Sequence, residues 1–336
     1  MVDNKKLSFD PKLHQKELYQ AWYEFVTTGK LNRKIVRPII AESWIRSRKN
    51  KVNPWDIPDS AYLSDEEFDE RLKKSQFLID IAKPFMRDIH QSMEDTNYVM
   101  VLDDPDGYLI LRIGTMFDDA RAEKLFKIRL GLCRDENVLG TTGYSLVKRY
   151  GKAIQIVGCE HYNALFHYVV GSYAPIKHPR DKGKFLGVIG VAGAQTFAND
   201  QNLALASATS KAIENLIGLH LTNKILSVYG NALETTIDFM SDGVLIIDDA
   251  GMIYELNEPA KQIFQINDTV KGNHISKAIG HIVLEEAVGK VLVSQNRAGE
   301  ETEISVNGQK YLTTVKFAED KEKGIGGVVV FLKNLK

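Results

Sequence analysis

Cys159, Glu160, His161, His167 and Tyr168 are crowded into one short stretch of this chain. Together they offer a thiol, a carboxylate, two imidazoles and a phenol. His161 and Tyr168 can donate to a carbonyl or carboxylate, and Glu160 can accept from a hydroxyl. A few such groups beside apolar strands are the usual form of a small-molecule site. Two other chemistries use the same residue types. A metal would suit Cys159, His161 and His167 as ligands, but their spacing matches no standard zinc pattern. Cys133 and Cys159 could form a redox switch, but neither has a CxxC partner, and an isolated cysteine usually packs as a small apolar residue. There is also a plainer reading, in which Glu160 and His161 hold their loop by hydrogen bonds to the backbone.

Other chemistries lack their residues. The chain contains no Gly-x-Ser-x-Gly, no His-Glu-x-x-His and no Gly-x-x-x-x-Gly-Lys-[Ser/Thr]. Hydrolysis at a nucleophile elbow, zincin proteolysis and P-loop ATP hydrolysis are therefore not expected. GVIGVAG spaces its glycines without completing Gly-x-Gly-x-x-Gly, and a strand packed closely on a helix accounts for it. His274 and His281 could ligate haem, although loop histidines are far commoner, and no Asn-Cys-Arg flavin motif is present. The chain reads as a non-enzyme, with no cofactor and no metal.

Forty-three basic and 44 acidic residues leave a formal net charge of -1, which gives no pull towards nucleic acid. Two cysteines in 336 residues make no disulfide framework and suit a reducing cytoplasm. The opening MVDNKKLSFD has no apolar signal region. No apolar run reaches the roughly 18 residues a spanning helix needs, so no membrane partner is expected.

The elements that must position these groups read as an α+β protein. Residues 1–95 are expected to be helical. Leu18, Trp22 and Phe25 share one helical face, Pro38 can open a second helix bearing Ile40 and Trp44, and Ser64 with Glu67 makes a capping box. Pro84 is a place for a kink. Residues 96–200 change period: YVMVLD and YLILRI form a hairpin around Pro105 to Gly107, a helix follows near 118–130, and AIQIV, YVVGSYAPI and KFLGVIGVAG are strands. Residues 201–240 repeat apolar positions every seven residues, at Ala212, Leu219, Leu226, Leu233 and Met240, with Leu216 and Ile237 in the half-heptad. Asn223 and Gly230 interrupt them. This predicts a connecting helix that dimerises in parallel, or else one that packs on its own domains. Residues 241–336 form a second α+β unit with a hairpin turn at Asn307–Gly308.

GVLIIDDAGMIYELNEPAKQIF resembles the opening of a PAS domain through Asp248, Gly251, Asn257, Ala260, Ile263 and Phe264. Residues 35–195 resemble the sensory region of sigma-54-dependent activators of the acetoin and dihydroxyacetone regulator type. RPIIAESWIRSRKNKVNPWDIP matches their leading helical motif, ENVLGTTGYSLV their Gly-Thr helix start, and AIQIVGCEHYNALFHYVVGSYAPI with GKFLGVIGVAG their GAF core. The resemblance implies N-terminal helices, a GAF domain, a long connecting helix and a PAS domain. It implies that Cys159, Glu160, His161, His167, Tyr168, Thr141 and Thr142 line the ligand pocket of a metabolite sensor. Thr142, Ser145, Cys159, Tyr168 and Gly171 depart from the usual residues there, so ligand identity does not carry over. Full activators of this type continue into an AAA+ ATPase and a helix-turn-helix. RNA polymerase carrying sigma-54, and DNA, would be met only through those domains, and a piece of a longer activator is the expectation. The alternatives are a dimerisation scaffold with no effector and a redox-active enzyme of the GAF-type methionine sulfoxide reductase class. The latter needs several closely placed cysteines.

Overall fold

The computed structural model describes residues 11–92, 98–114, 128–181, 183–195, 199, 201–320 and 325–335. The chain divides into two compact units, residues 1–221 and 222–336. Each is built on a five-stranded antiparallel sheet with helices against it, so the α+β reading holds.

In the first unit the strands are β1 (Tyr98–Asp103), β2 (Leu109–Ile113), β3 (Ile154–Val157), β4 (Val169–Lys177) and β5 (Phe185–Ala194), ordered β2-β1-β5-β4-β3. Both faces of this sheet are covered, which is why β1 is apolar from Tyr98 to Leu102 instead of alternating, before it ends on the buried Asp103. Val99 and Val101 point to a core shared with Leu18, Trp22 and Phe25 of α1 (Pro11–Thr28) and with Ile40 and Trp44 of α2 (Pro38–Lys49). Met100 and Leu102 point the other way. They meet Leu78, Ala82 and Met86 of α3 (Asp65–Gln91) and Ala206, Ile213 and Ile217 of a long helix. The N-terminal helices therefore belong to the same cores as the sheet.

Local rules set the helix ends. Pro38 opens α2, where its missing N–H is harmless. Ser64 and Glu67 form the expected reciprocal capping box at α3. Pro84 lies inside α3, which continues to Gln91. The helix expected near 118–130 falls mostly outside the described residues. Two short helices, α4 (Glu136–Leu139) and α5 (Gly143–Tyr150), follow β2.

The long helix α6 (Gln201–Asp238) leaves Leu219, Leu226 and Leu233 exposed by 56%, 61% and 55%, while Ile213 and Ile217 are buried in the first unit. Met240 lies past its end.

The second unit orders its strands β7-β6-β10-β9-β8, with β6 (Gly243–Asp248), β7 (Ile253–Leu256), β8 (Glu300–Val306), β9 (Gln309–Asp320) and β10 (Ile325–Asn334). Leu245, Val315, Val328 and Val330 share a core with Ala260 of α7 (Glu258–Phe264), Ile275 of α8 (Ile275–Ala278) and Leu284, Val288 and Val291 of α9 (Ile282–Ser294). Asn257 ties this unit together. Its Oδ1 accepts from the N–H of Val244 at 2.8 Å and of Ala260 at 3.1 Å. Its Nδ2 donates to the carbonyls of Ile237 at 2.7 Å and Asp242 at 2.9 Å. The Asn307–Gly308 turn closes β8 onto β9 with both residues at positive φ, 51° and 77°.

Candidate functional site

The Cys159–Tyr168 segment follows β3 in two single 3-10 turns, Gly158–Glu160 and Ala164–Phe166. It is held from the N-terminal helices. Trp44 of α2 donates its indole N–H to the carbonyl of Glu160, and Trp22 of α1 donates to the carbonyl of Tyr162, both at 2.9 Å. The Glu160 carboxylate is gripped at both oxygens by the Arg37 guanidinium, with Nη2 to Oε2 at 2.6 Å, and it also accepts from the N–H of Val157 at 2.9 Å. The backbone N–H of Cys159 donates to Oε1 of Gln15 at 3.0 Å. The Glu160 carboxylate is thus held by one guanidinium and one backbone N–H.

His161 and His167 are brought together and buried. Nδ1 of His161 lies 2.9 Å from the carbonyl of Gly158, and Nε2 of His167 lies 3.2 Å from the carbonyl of His161. A carbonyl only accepts, so each ring donates there. Burial pushes His161 down to about 3, aided by the neighbouring His167 and Arg134 and opposed by the Gly158 hydrogen bond. Burial pushes His167 down to about 4. Both rings are neutral at pH 7. Tyr168 is not in this group: it opens towards solvent, 67% exposed. Cys133 and Cys159 are free thiols, buried, and burial pushes both up, Cys159 to about 12. A thiolate is the reactive form, so neither is poised for redox chemistry. Among the described residues no three His, Cys, Asp or Glu side chains are grouped to hold a metal. His274 and His281 are helix N-caps whose Nδ1 atoms accept from the N–H of Ser276 and of Leu284, and Nε2 of His281 lies 3.2 Å from the carbonyl of Ser305.

The threonines do structural work on the other wall. Thr142 and Ser145 cap α5 reciprocally, and Thr142 Oγ1 donates to the carbonyl of Arg134 at 2.6 Å. Thr141 donates to Ser43 Oγ at 2.7 Å, and Ser43 donates to Glu136 at 2.5 Å. Arg46 clasps the same Glu136 carboxylate with two bonds of 2.6 and 2.8 Å. The Ser-Trp-x-Arg-Ser motif of α2 therefore fastens both the Glu136–Thr142 turn and the Glu160 turn.

Beside these turns lies a polar group of residues the sequence did not single out. Arg134 and Asp103 form a buried bidentate pair, with Nε to Oδ1 at 2.7 Å, and Arg134 also donates to the Tyr173 hydroxyl at 3.4 Å while lying over its ring. Desolvation pushes Asp103 up to about 6 against the pull of Arg134, so it is ionised at neutral pH. Burial draws Arg134 down, but the Asp103 charge outweighs it and holds the guanidinium above its ordinary range. The Tyr173 ring lies against Gly143, Gly171 and Gly190, where a Cβ would collide with it. Gly190 of GVIGVAG thus accommodates Tyr173 and Val101 of adjoining strands, not the helix expected from its spacing. Single buried polar residues have no sequence signature, which is why Arg134, Asp103 and Tyr173 were not legible.

Residues 15–215 match the protein family described as MimR, N-terminal domain. The chain is 29% identical over 209 residues to the acetoin dehydrogenase operon transcriptional activator AcoR of Bacillus subtilis, covering 62% of this chain and 34% of that protein. It is 26% identical over 284 residues to a signal-transduction and transcriptional-control protein of Clostridium beijerinckii, covering 83% and 44%. It thus spans under half the length of these curated relatives. In fold it is similar to a chain of the Escherichia coli DhaR(N)–DhaL complex, with a TM-score of 0.75 at 19% identity over 89% of this chain and 100% of that one. No helix among the described residues is long and apolar enough to cross a membrane.

Proposed function

This chain belongs to the MimR N-terminal domain family, a regulator's N-terminal region and not an enzyme, and from that we propose that it senses a small metabolite and passes the signal to a transcriptional output. In this reading the first unit is a GAF-type sensor, the second a PAS-type unit, and α6 the connection and parallel dimer seam. The output is activation with sigma-54 RNA polymerase through further domains of a longer protein. The observation that supports the sensing role is the buried polar centre at Arg134, Asp103, Tyr173 and His161. Buried polar groups are costly unless paired, and a scaffold would do as well with an apolar core. Its charges are already balanced, Arg134 against Asp103 and Glu160 against Arg37, and both histidines are neutral. An uncharged polar effector fits this balance best, because an ion would arrive without a counter-charge.

One observation favours the scaffold alternative: the Tyr173 ring fills the space its three glycines leave. Sensing requires that an effector share or displace that volume. A thermal-shift screen of small fermentation metabolites, followed by calorimetry of each hit on wild type and His161→Ala, separates the two. A hit weakened about 2–10-fold by the variant supports sensing. The absence of any hit leaves the scaffold reading in its place, and a hit whose affinity is indifferent to His161 removes His161 from the site.

A further inference from the structure

The second unit carries a concavity of its own. A groove of about 390 Å³ opens where α7, the β8–β9 hairpin and the end of β10 meet, a volume within the range of small-molecule sites. Five carboxamides line it, those of Gln262, Gln265, Asn307, Gln309 and Asn334, and the lining contains no charged residue. Its apolar part includes Ile263, Tyr311 and Leu332.

The amides are placed by the fold. Gln265 ends α7 in the left-handed region, and Asn307 sits in the hairpin turn. Asn307 Nδ2 donates to the carbonyl of Ile263 at 3.1 Å, which ties the hairpin to α7. Gln309 Oε1 accepts from the Tyr311 hydroxyl at 2.8 Å and from Asn334 Nδ2 at 3.5 Å, so its own NH₂ remains a donor.

A second, independent observation lies beside the apolar part. Thr313 is two residues from Tyr311 on the same face of β9 and pairs directly with Leu332 of β10. It is fully buried, and its Oγ1 has no hydrogen-bond partner among the described residues. An orphaned buried hydroxyl is rare in a native core and asks for an explanation.

We propose that this groove binds an uncharged polyhydroxylated small molecule, independently of the polar centre in the first unit. A carboxamide presents a donor and an acceptor side by side, which matches a hydroxyl that both donates and accepts. An ionic ligand would lose its hydration to a lining with no opposite charge. The apolar residues receive the carbon skeleton, and Thr313 has a free donor and acceptor for a hydroxyl that enters past Tyr311 and Leu332.

The test uses the whole chain with sorbitol as probe and gluconate as its charged counterpart, read by the side-chain amide resonances of Gln309 and Asn334. Sorbitol is expected to shift them saturably and gluconate not. Gln309→Ala and Thr313→Val should each weaken sorbitol about 2–10-fold, the loss of one neutral hydrogen bond. Thr313→Val conserves shape and removes the unpaired group, so it should fold at least as stably as wild type. His161→Ala should leave the sorbitol response intact, which keeps this result distinct from sensing in the first unit. No saturable shift with sorbitol, an equal response to gluconate, or unchanged affinity in both groove variants would overturn the proposal.

Discussion

His161 and His167 show how burial turns an ionisable residue into a neutral donor. Their folded values, about 3 and about 4, lie below the ordinary 6.5. Below pH 6.5 the unfolded chain binds two protons that the folded chain refuses, so stability falls with pH at about 1.4 kcal/mol per unit for each ring. Asp103 acts the other way. Its folded value of about 6 lies above 3.8, so its contribution is present below pH 3.8 and is lost as pH rises through 6. Between pH 6 and 4 it offsets one ring. The net expectation is a loss of roughly 2–3 kcal/mol between pH 7 and pH 5. The three tryptophans, Trp22, Trp44 and Trp55, all lie in the first unit. Urea unfolding followed by their fluorescence reads this directly, and His161→Gln should shrink the loss. Equal stability at the two pH values would refute it.

At the scale of the element, α2 is a clamp, and α6 carries the exposed leucines of the proposed dimer seam. Glu136 takes hydrogen bonds from Ser43 and Arg46, and Glu136→Gln would leave the largely buried Arg46 without its charge partner. A loss of about 2–3 kcal/mol is expected for the first unit, against about 1 kcal/mol for Ser43→Ala, which removes one neutral donor. The two urea midpoints, compared at equal slope, decide it. The exposed leucines of α6 predict a parallel homodimer. Leu226→Glu places two carboxylates in the seam and should cost roughly 3 kcal/mol per dimer, about 100-fold in the dissociation constant. Light scattering at tens of micromolar checks this: a monomeric wild type, or a dimer indifferent to the variant, removes the seam.

For the whole molecule, each unit has its own sheet and its own core, and unfolding should reflect that. Asn257 satisfies four backbone groups, all of them within the second unit. Asn257→Ala strands those groups and should destabilise by about 2–4 kcal/mol. Scanning calorimetry is expected to show two transitions, only one of which moves. A single transition that shifts as a whole would show that the units unfold together.

Periodicity and turn chemistry determined much of this protein from the sequence alone. The helix face of Leu18, Trp22 and Phe25, the capping box at Ser64, the Asn307–Gly308 turn and the PAS-like motif that holds Asn257 all rest on neighbours a few residues apart or on one recurrent motif. Local rules reach that far because they concern backbone groups and faces set by helical and strand repeats. The polar centre lay beyond them. Arg134, Asp103 and Tyr173 are far apart in sequence and meet only after the sheet has paired β1 with β5 and β5 with β4. Arg37, which grips the Glu160 carboxylate, lies 123 residues away from it in sequence. Tyr168 looked like its neighbour His167 until the start of β4 turned it to solvent. Which side chain a buried charge meets, and which of two adjacent residues faces inward, depends on strand order and helix packing, and those are decided only when the whole chain is folded.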